Sequence, residues 1–190
     1  MRALKLFSIA VLLAITAACQ TTEGPRQVEP TWTEARQDPL REANYQAAAA
    51  LMAQIGRPAA ASNRDGGGSA LIVATLANVN ALEQSSTLGR LVTEHIASWL
   101  TQSGRPVAEL KVRNGIYMKR NEGEFLLTRE IREVAAAHNA QGVVVGTYAE
   151  GASMLHVTLK LVDPSSSLVL AAHDYTLPRN RQVKSLLRTR

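Results

Sequence analysis

Ala70-Leu71-Ile72-Val73-Ala74-Thr75-Leu76-Ala77-Asn78-Val79 is a near-continuous apolar run. Six residues later Ser85-Ser86 introduces Thr87-Leu88-Gly89-Arg90-Leu91-Val92-Thr93-Glu94-His95-Ile96-Ala97-Ser98-Trp99-Leu100. The first stretch lacks the polar alternation of a half-exposed strand and reads as one strand buried on both faces. In the second, Leu88, Leu91, Val92, His95, Ile96, Trp99 and Leu100 recur at the spacing of one helical face. Ser85 or Ser86 caps that helix and Gly104 closes it. A buried strand feeding an amphipathic helix decides the class: α/β.

Downstream, Pro106 to Val112 reads as a second strand and Arg113 to Glu124 as a polar loop with Gly115 and Gly123. Thr128 is placed to cap a helix with Ile131, Val134, Ala135 and His138 on one stripe. Gly142 to Tyr148 is another strand of the buried type. Met154 to Val162 and Leu168 to Leu177 alternate around Asp163-Pro164-Ser165-Ser166-Ser167, whose turn chemistry joins them as a hairpin. The order β-α-β-α-β-β-β predicts a single domain: a mixed sheet with two or three helices packed on it and a terminal β-hairpin.

Upstream, Asp38 followed by Pro39 starts a first helix, with Leu40, Ala47, Leu51 and Ile55 at helical spacing and Gly56 and Pro58 ending it. Asn63 to Ser69 is a Gly-rich loop. It precedes a strand and no Lys-Ser/Thr pair ends it, so it is not a phosphate-binding P-loop.

At 190 residues the chain is long enough for one well-cored domain. Its formal net charge of +5 belongs to the two ends. Arg2 and Lys5 lie near the start, and Arg179, Arg181, Lys184, Arg188 and Arg190 near the finish. Gln20 to Leu177 then holds 14 Lys/Arg against 16 Asp/Glu, leaving no basic body for a nucleic-acid partner. The tail from Pro178 to Arg190 reads as a solvated basic end. Its alternative is contact with anionic lipid headgroups or an acidic partner through a short amphipathic turn of Val183, Leu186 and Leu187.

Arg2 and Lys5, the apolar run Leu6 to Ile15, and the small residues Thr16-Ala17-Ala18 form the layout of a secretory signal over residues 1–18. Cys19, the chain's one cysteine, follows directly and has no partner for an internal disulfide. This arrangement resembles the lipobox of bacterial lipoproteins, with Thr16 where Leu is usual. The resemblance implies acylation (diacylglyceryl, then palmitate-like chains) and cleavage before Cys19, with outer-membrane lipid as the first partner. Because Gln20 is not Asp, it also implies outer-membrane sorting. Residues 19–37 read as a polar tether with a reach of about 60 Å if extended.

Three segments together resemble the FlgO domain of flagellum-associated outer-membrane lipoproteins. They are Ala74 to Val79 continuing through Leu82 to Gly104, Gly123-Glu124-Phe125-Leu126-Leu127-Thr128-Arg129-Glu130-Ile131-Arg132-Glu133, and Val143-Val144-Val145-Gly146-Thr147-Tyr148. They cover residues 70–177. The resemblance implies a non-catalytic envelope scaffold supporting flagellar assembly or motility, with envelope or basal-body proteins as partners. Fold maintenance explains most of these residues; Glu124, Arg129 and Tyr148 are the candidate partner surface.

No chemistry competes with that reading. His95, His138, His156 and His173 have no metal-binding spacing, and His95 lies on an apolar helix face as a core or boundary residue. There is no Gly-x-Ser-x-Gly elbow, and the spacing of Glu83, Glu94, Glu109 and Glu124 does not favour a carboxylate pair. No cofactor, metal or catalytic residue is expected. Two alternatives remain: a periplasm-facing regulator of a cell-wall synthase, and an envelope ligand-binding module. Self-association through the exposed terminal hairpin is a further expectation.

Overall fold

A computed structural model describes residues 31–55, 70–82, 85–108 and 129–188. Two compact units divide the chain after Gln37. In the first, α1 (Trp32–Arg36) is a capped turn. The Thr31 side chain accepts from the Glu34 amide, and the Glu34 carboxylate accepts from the Thr31 amide at 2.8 Å. Those bonds hold the Glu34 carboxyl below its ordinary pKa. The sequence reads this stretch as pure tether. A capping box is the local signal that overrides its lack of apolar period.

The second unit holds the α/β body. In α2 (Pro39–Ala53) the Asp38 side chain caps the Leu40 amide, with Pro39 in the first turn. Its buried face is Leu40, Asn44, Ala47, Ala48, Leu51 and Met52. Ile55, expected on that face, lies beyond the helix end and is exposed.

The apolar run at residues 70–79 is two strands, β1 (Leu71–Val73) and β2 (Ala77–Asn78), and this corrects the single-strand reading. Both pair in parallel with β4 (Gly142–Glu150). Val73 lies opposite Val144 and Ala77 opposite Thr147, so four steps on one side meet three on the other. The extra residue kinks the chain at Ala74–Leu76, as a bulge does.

Ser86 caps α3 (Thr87–Gln102), accepting from the Gly89 amide at 3.1 Å; Ser85 does not cap. Leu88, Val92, Ile96 and Leu100 are buried, while Leu91, His95 and Trp99 sit at the boundary. Gly104 ends the helix with φ +80°, a conformation that suits glycine. Then β3 (Val107–Ala108) pairs in parallel with β1. The rest of the predicted second strand, the polar loop and the Thr128 cap lie outside the described residues. Next comes α4 (Arg129–Ala137), with Ile131 and Ala135 buried.

The antiparallel half is β4, β5 (Met154–Val162) and β6 (Val169–Pro178). The hairpin turn is set by Asp163, whose Oδ1 accepts from the Ser165 amide, the Ser165 hydroxyl and the Ser166 amide. These bonds lower the Asp163 pKa. The sheet order is β3-β1-β4-β5-β6, with β2 also on β4, so the sheet is mixed as the element order predicts.

Alternate side chains of the buried strands serve two cores. Val144, Tyr148, Leu155, Val157, Leu159, Leu161 and Leu177 meet apolar residues of α2 and α3 on one face. Ile72, Val143 and Val162 meet Ile131 and Ala135 of α4 on the other. That is why Val143-Val144-Val145 shows no alternation. The basic tail is corrected too. It forms α5 (Arg181–Leu187), capped by Asn180 on the Val183 amide, with Val183 buried and Leu186 and Leu187 packed on the larger core.

Candidate functional site

Two polar clusters hold the helices to the sheet, and one edge of the sheet carries exposed apolar side chains. The first cluster starts at the Leu76 kink, where backbone groups leave the ladder and need partners. The Leu76 amide donates to Thr93 Oγ1 at 3.2 Å, and Thr93 Oγ1 donates to the Gly89 carbonyl at 2.8 Å. Ser85 Oγ donates to the Leu76 carbonyl at 3.3 Å. Gly89 permits this close approach: a Cβ there would lie 2.4 Å from the Leu76 oxygen. Tyr148 completes the cluster, its hydroxyl donating to Ser86 Oγ at 2.7 Å.

Tyr148 is therefore buried, with 3% of its surface exposed, and orients the cap of α3. This corrects its expected place on a partner surface. Glu124 lies outside the described residues. Arg129 opens α4, and its side chain lies outside them as well, so the three residues do not form a described patch. Cys19, the residues 1–18 and most of the tether also lie outside the described residues.

The second cluster joins α2, α3 and β6. Fully buried Asn44 donates from Nδ2 to His95 Nδ1 at 3.0 Å and accepts at Oδ1 from the Tyr175 hydroxyl at 2.6 Å. Tyr45 meets the His95 ring edge-on, and His173 stacks on Tyr175. Burial pushes the His95 pKa below its ordinary 6.5, with Arg41 adding to it and Asp38 and Glu94 opposing. Burial also raises the Tyr175 hydroxyl. His95 is the boundary residue its helix face predicts. Asn44 and Tyr175 were missed; the available signal was an amide four residues after Leu40, on the apolar stripe of α2.

The exposed surface lies on β6, which ends the sheet. Leu168, Val169 and Leu170 are 64%, 52% and 46% exposed, a run of large apolar side chains beside the hairpin turn. Val162 and Leu161 pair with Val169 and Ala171, so Leu170 is bulged out of the ladder. Two residues on, the Gln54 side chain from the end of α2 takes both outward backbone groups of Ala172. Its Nε2 donates to the Ala172 carbonyl at 2.7 Å, and its Oε1 accepts from the Ala172 amide at 3.3 Å. Gln54 thus stands where a further strand would bond. Bulge and amide together blunt the edge against sheet extension, and the apolar side chains remain available for side-chain contact.

Among the described residues no group of three or more His, Cys, Asp or Glu is placed to hold a metal ion. No helix among them is long and apolar enough to cross a membrane.

A search of curated proteins returns no match. Among solved structures, the LpoB C-terminal domain from Salmonella enterica is similar at a TM-score of 0.51 and 14% identity, covering 74% of this chain and 98% of that one. The LpoB C-terminal domain from Escherichia coli follows at 0.48 and 13%, with coverage of 74% and 98%. Lipoprotein GNA1162 from Neisseria meningitidis gives 0.40 and 13%, with 60% and 83% covered. The Salmonella likeness concerns the fold alone. The family described as FlgO protein matches residues 45–182, from within α2 through the whole sheet to the start of α5, and the chain accordingly belongs to the FlgO family.

Proposed function

We propose that this chain is a non-catalytic lipoprotein of the outer membrane. In this reading it is fastened through acyl chains on Cys19 and faces the periplasm. It supports the flagellum where that structure passes through the envelope. The observation that carries the reading is the FlgO family match over residues 45–182. It is supported by the signal-like residues 1–18, which end at the one cysteine of the chain.

The function is positional. Two or more acyl chains give stable anchoring where one does not. The segment after Cys19 sets reach, and the α/β body presents protein-binding surface. The exposed Leu168–Leu170 run is one such surface, with Glu124 and Arg129 as further contacts.

Deletion of the gene, scored for swimming and cell shape, tests the role. Loss of motility with normal shape is the expected result, and affinity capture should recover basal-body proteins. Cys19→Ser should abolish acylation, read by mass spectrometry, and release the protein from membranes. Normal swimming in the deletion strain would refute the flagellar role; an unacylated, soluble wild-type protein would refute the anchor.

A second reading is a periplasm-facing regulator of a cell-wall synthase, favoured by the fold likeness to the LpoB C-terminal domain. Capture of synthases without basal-body proteins, together with shape defects, would select it.

A further inference from the structure

Asn44 is buried within α2, and its side chain bonds both neighbouring elements, α3 through His95 and β6 through Tyr175. The bonding pattern fixes its protonation requirements. An amide nitrogen only donates, so His95 Nδ1 must be bare and its ring proton must sit on Nε2. Protonation of His95 places an N–H against the Asn44 NH₂. Reversing the amide removes that clash, but then the part-buried Tyr175 hydroxyl proton loses Oδ1 as its acceptor. Either way one part-buried donor loses its partner, a cost to the polar network.

We propose that Asn44, His95 and Tyr175 form a pH-sensitive clasp, closed while His95 is neutral and opened by its protonation, which frees α2 from α3 and β6 while the sheet stays folded. This goes beyond the scaffold reading and does not depend on it.

The charged and titratable groups facing His95 come from every element packed on it. From α2 and its cap come Asp38, Arg41 and Tyr45; from α3 comes Glu94; from β6 come Tyr175 and the His173 stacked on it. Desolvation and Arg41 disfavour the imidazolium, and outweigh the favourable pull of Asp38 and Glu94. The open state therefore takes up the proton more readily than the closed one. Opening is promoted as pH falls below the ordinary value of 6.5, and continues to the depressed value of the closed state. The open population rises by at most about tenfold per pH unit in that window.

The rest of the α2 contact sets the closed state at neutral pH. Leu40, Ala47, Ala48, Leu51 and Met52 are buried against the larger core, and Gln54 bonds Ala172. These contacts do not titrate and hold α2 in place independently of pH.

Hydrogen exchange of the full chain at pH 7.5 and pH 5.5, corrected for intrinsic rates, tests the clasp. In the wild type, α2 amides should lose protection several-fold at pH 5.5 while β4 amides keep theirs. His95→Gln retains a neutral acceptor and should show equal α2 protection at both pH values. His173→Gln should retain the wild-type pH dependence. Constant α2 protection in the wild type overturns the proposal, as does an unchanged pH response in His95→Gln or a lost one in His173→Gln. Should His95→Gln fail to fold, imidazole NMR of the wild type decides. A His95 midpoint below 6.5 that coincides with α2 opening supports the clasp. A midpoint at or above 6.5, or opening that follows another histidine, overturns it.

Discussion

Gly89 and Tyr148 illustrate how single side chains set the join between helix and sheet. At Gly89 a methyl group would meet the Leu76 carbonyl at 2.4 Å and Ser85 Oγ at 3.0 Å, and the backbone oxygen cannot yield cheaply. Gly89→Ala should therefore destabilise the body by roughly 1–3 kcal/mol in chemical denaturation, despite alanine's better helix propensity. Tyr148→Phe removes one buried hydrogen bond to the α3 cap and should cost about 1 kcal/mol. Because Tyr148 is buried, the same substitution should leave partner capture unchanged. Neither role was legible in the sequence. Tyrosine carries an apolar body and a polar tip, so its presence after Val143–Thr147 fits a surface as well as a core. The need for glycine at position 89 comes from the kink residue Leu76, thirteen positions earlier, which no local pattern reveals.

Elements were more legible where every position agreed. The caps Asp38 and Ser86, the α3 stripe and the Asp163 turn are local chemistry, and all three form as read. The split between β1 and β2 was hidden because Ala74-Thr75-Leu76 is as compatible with a strand as its neighbours. Its cause is a register mismatch with β4 that only the folded sheet contains. Helix α5 was legible only in part: its cations Arg181 and Lys184 favour a solvated tail, while the amphipathic spacing of Val183, Leu186 and Leu187, read as the alternative, is the face that packs inward. Val183→Asp would bury a charge at a site 2% exposed, at a cost of about 3 kcal/mol. It should detach α5, read as faster tryptic cleavage after Arg181 and Lys184 with the sheet intact. At the β6 edge, Gln54→Ala uncovers both backbone groups of Ala172. Sedimentation should then show stronger concentration-dependent self-association than in the wild type, with a stability loss under about 1 kcal/mol.

For the whole molecule, the compact unit from Asp38 onward contains both cores and every sheet strand described. A fragment of residues 38–190 should melt within a few degrees of the chain of residues 19–190, by circular dichroism. A large drop would assign residues 19–37 a structural part. The mixed sheet and its helices were readable because the strand-helix order leaves few topologies. The exposed apolar run at the sheet edge was less so, since Leu170 leaves the ladder at a bulge that only the paired strands contain, and Glu124 and Arg129 were chosen by resemblance.

The surplus residue at Ala74–Leu76 also governs how this chain can change length. Removing one residue there would let residues 71–78 run straight alongside β4. The backbone would then cease to turn toward Thr93 and Ser85, and the hole that Gly89 leaves open would have nothing to receive. Insertions and deletions tolerated in surface loops should therefore be rejected at this point, and a one-residue deletion should be rescued only by a second change that refills position 89.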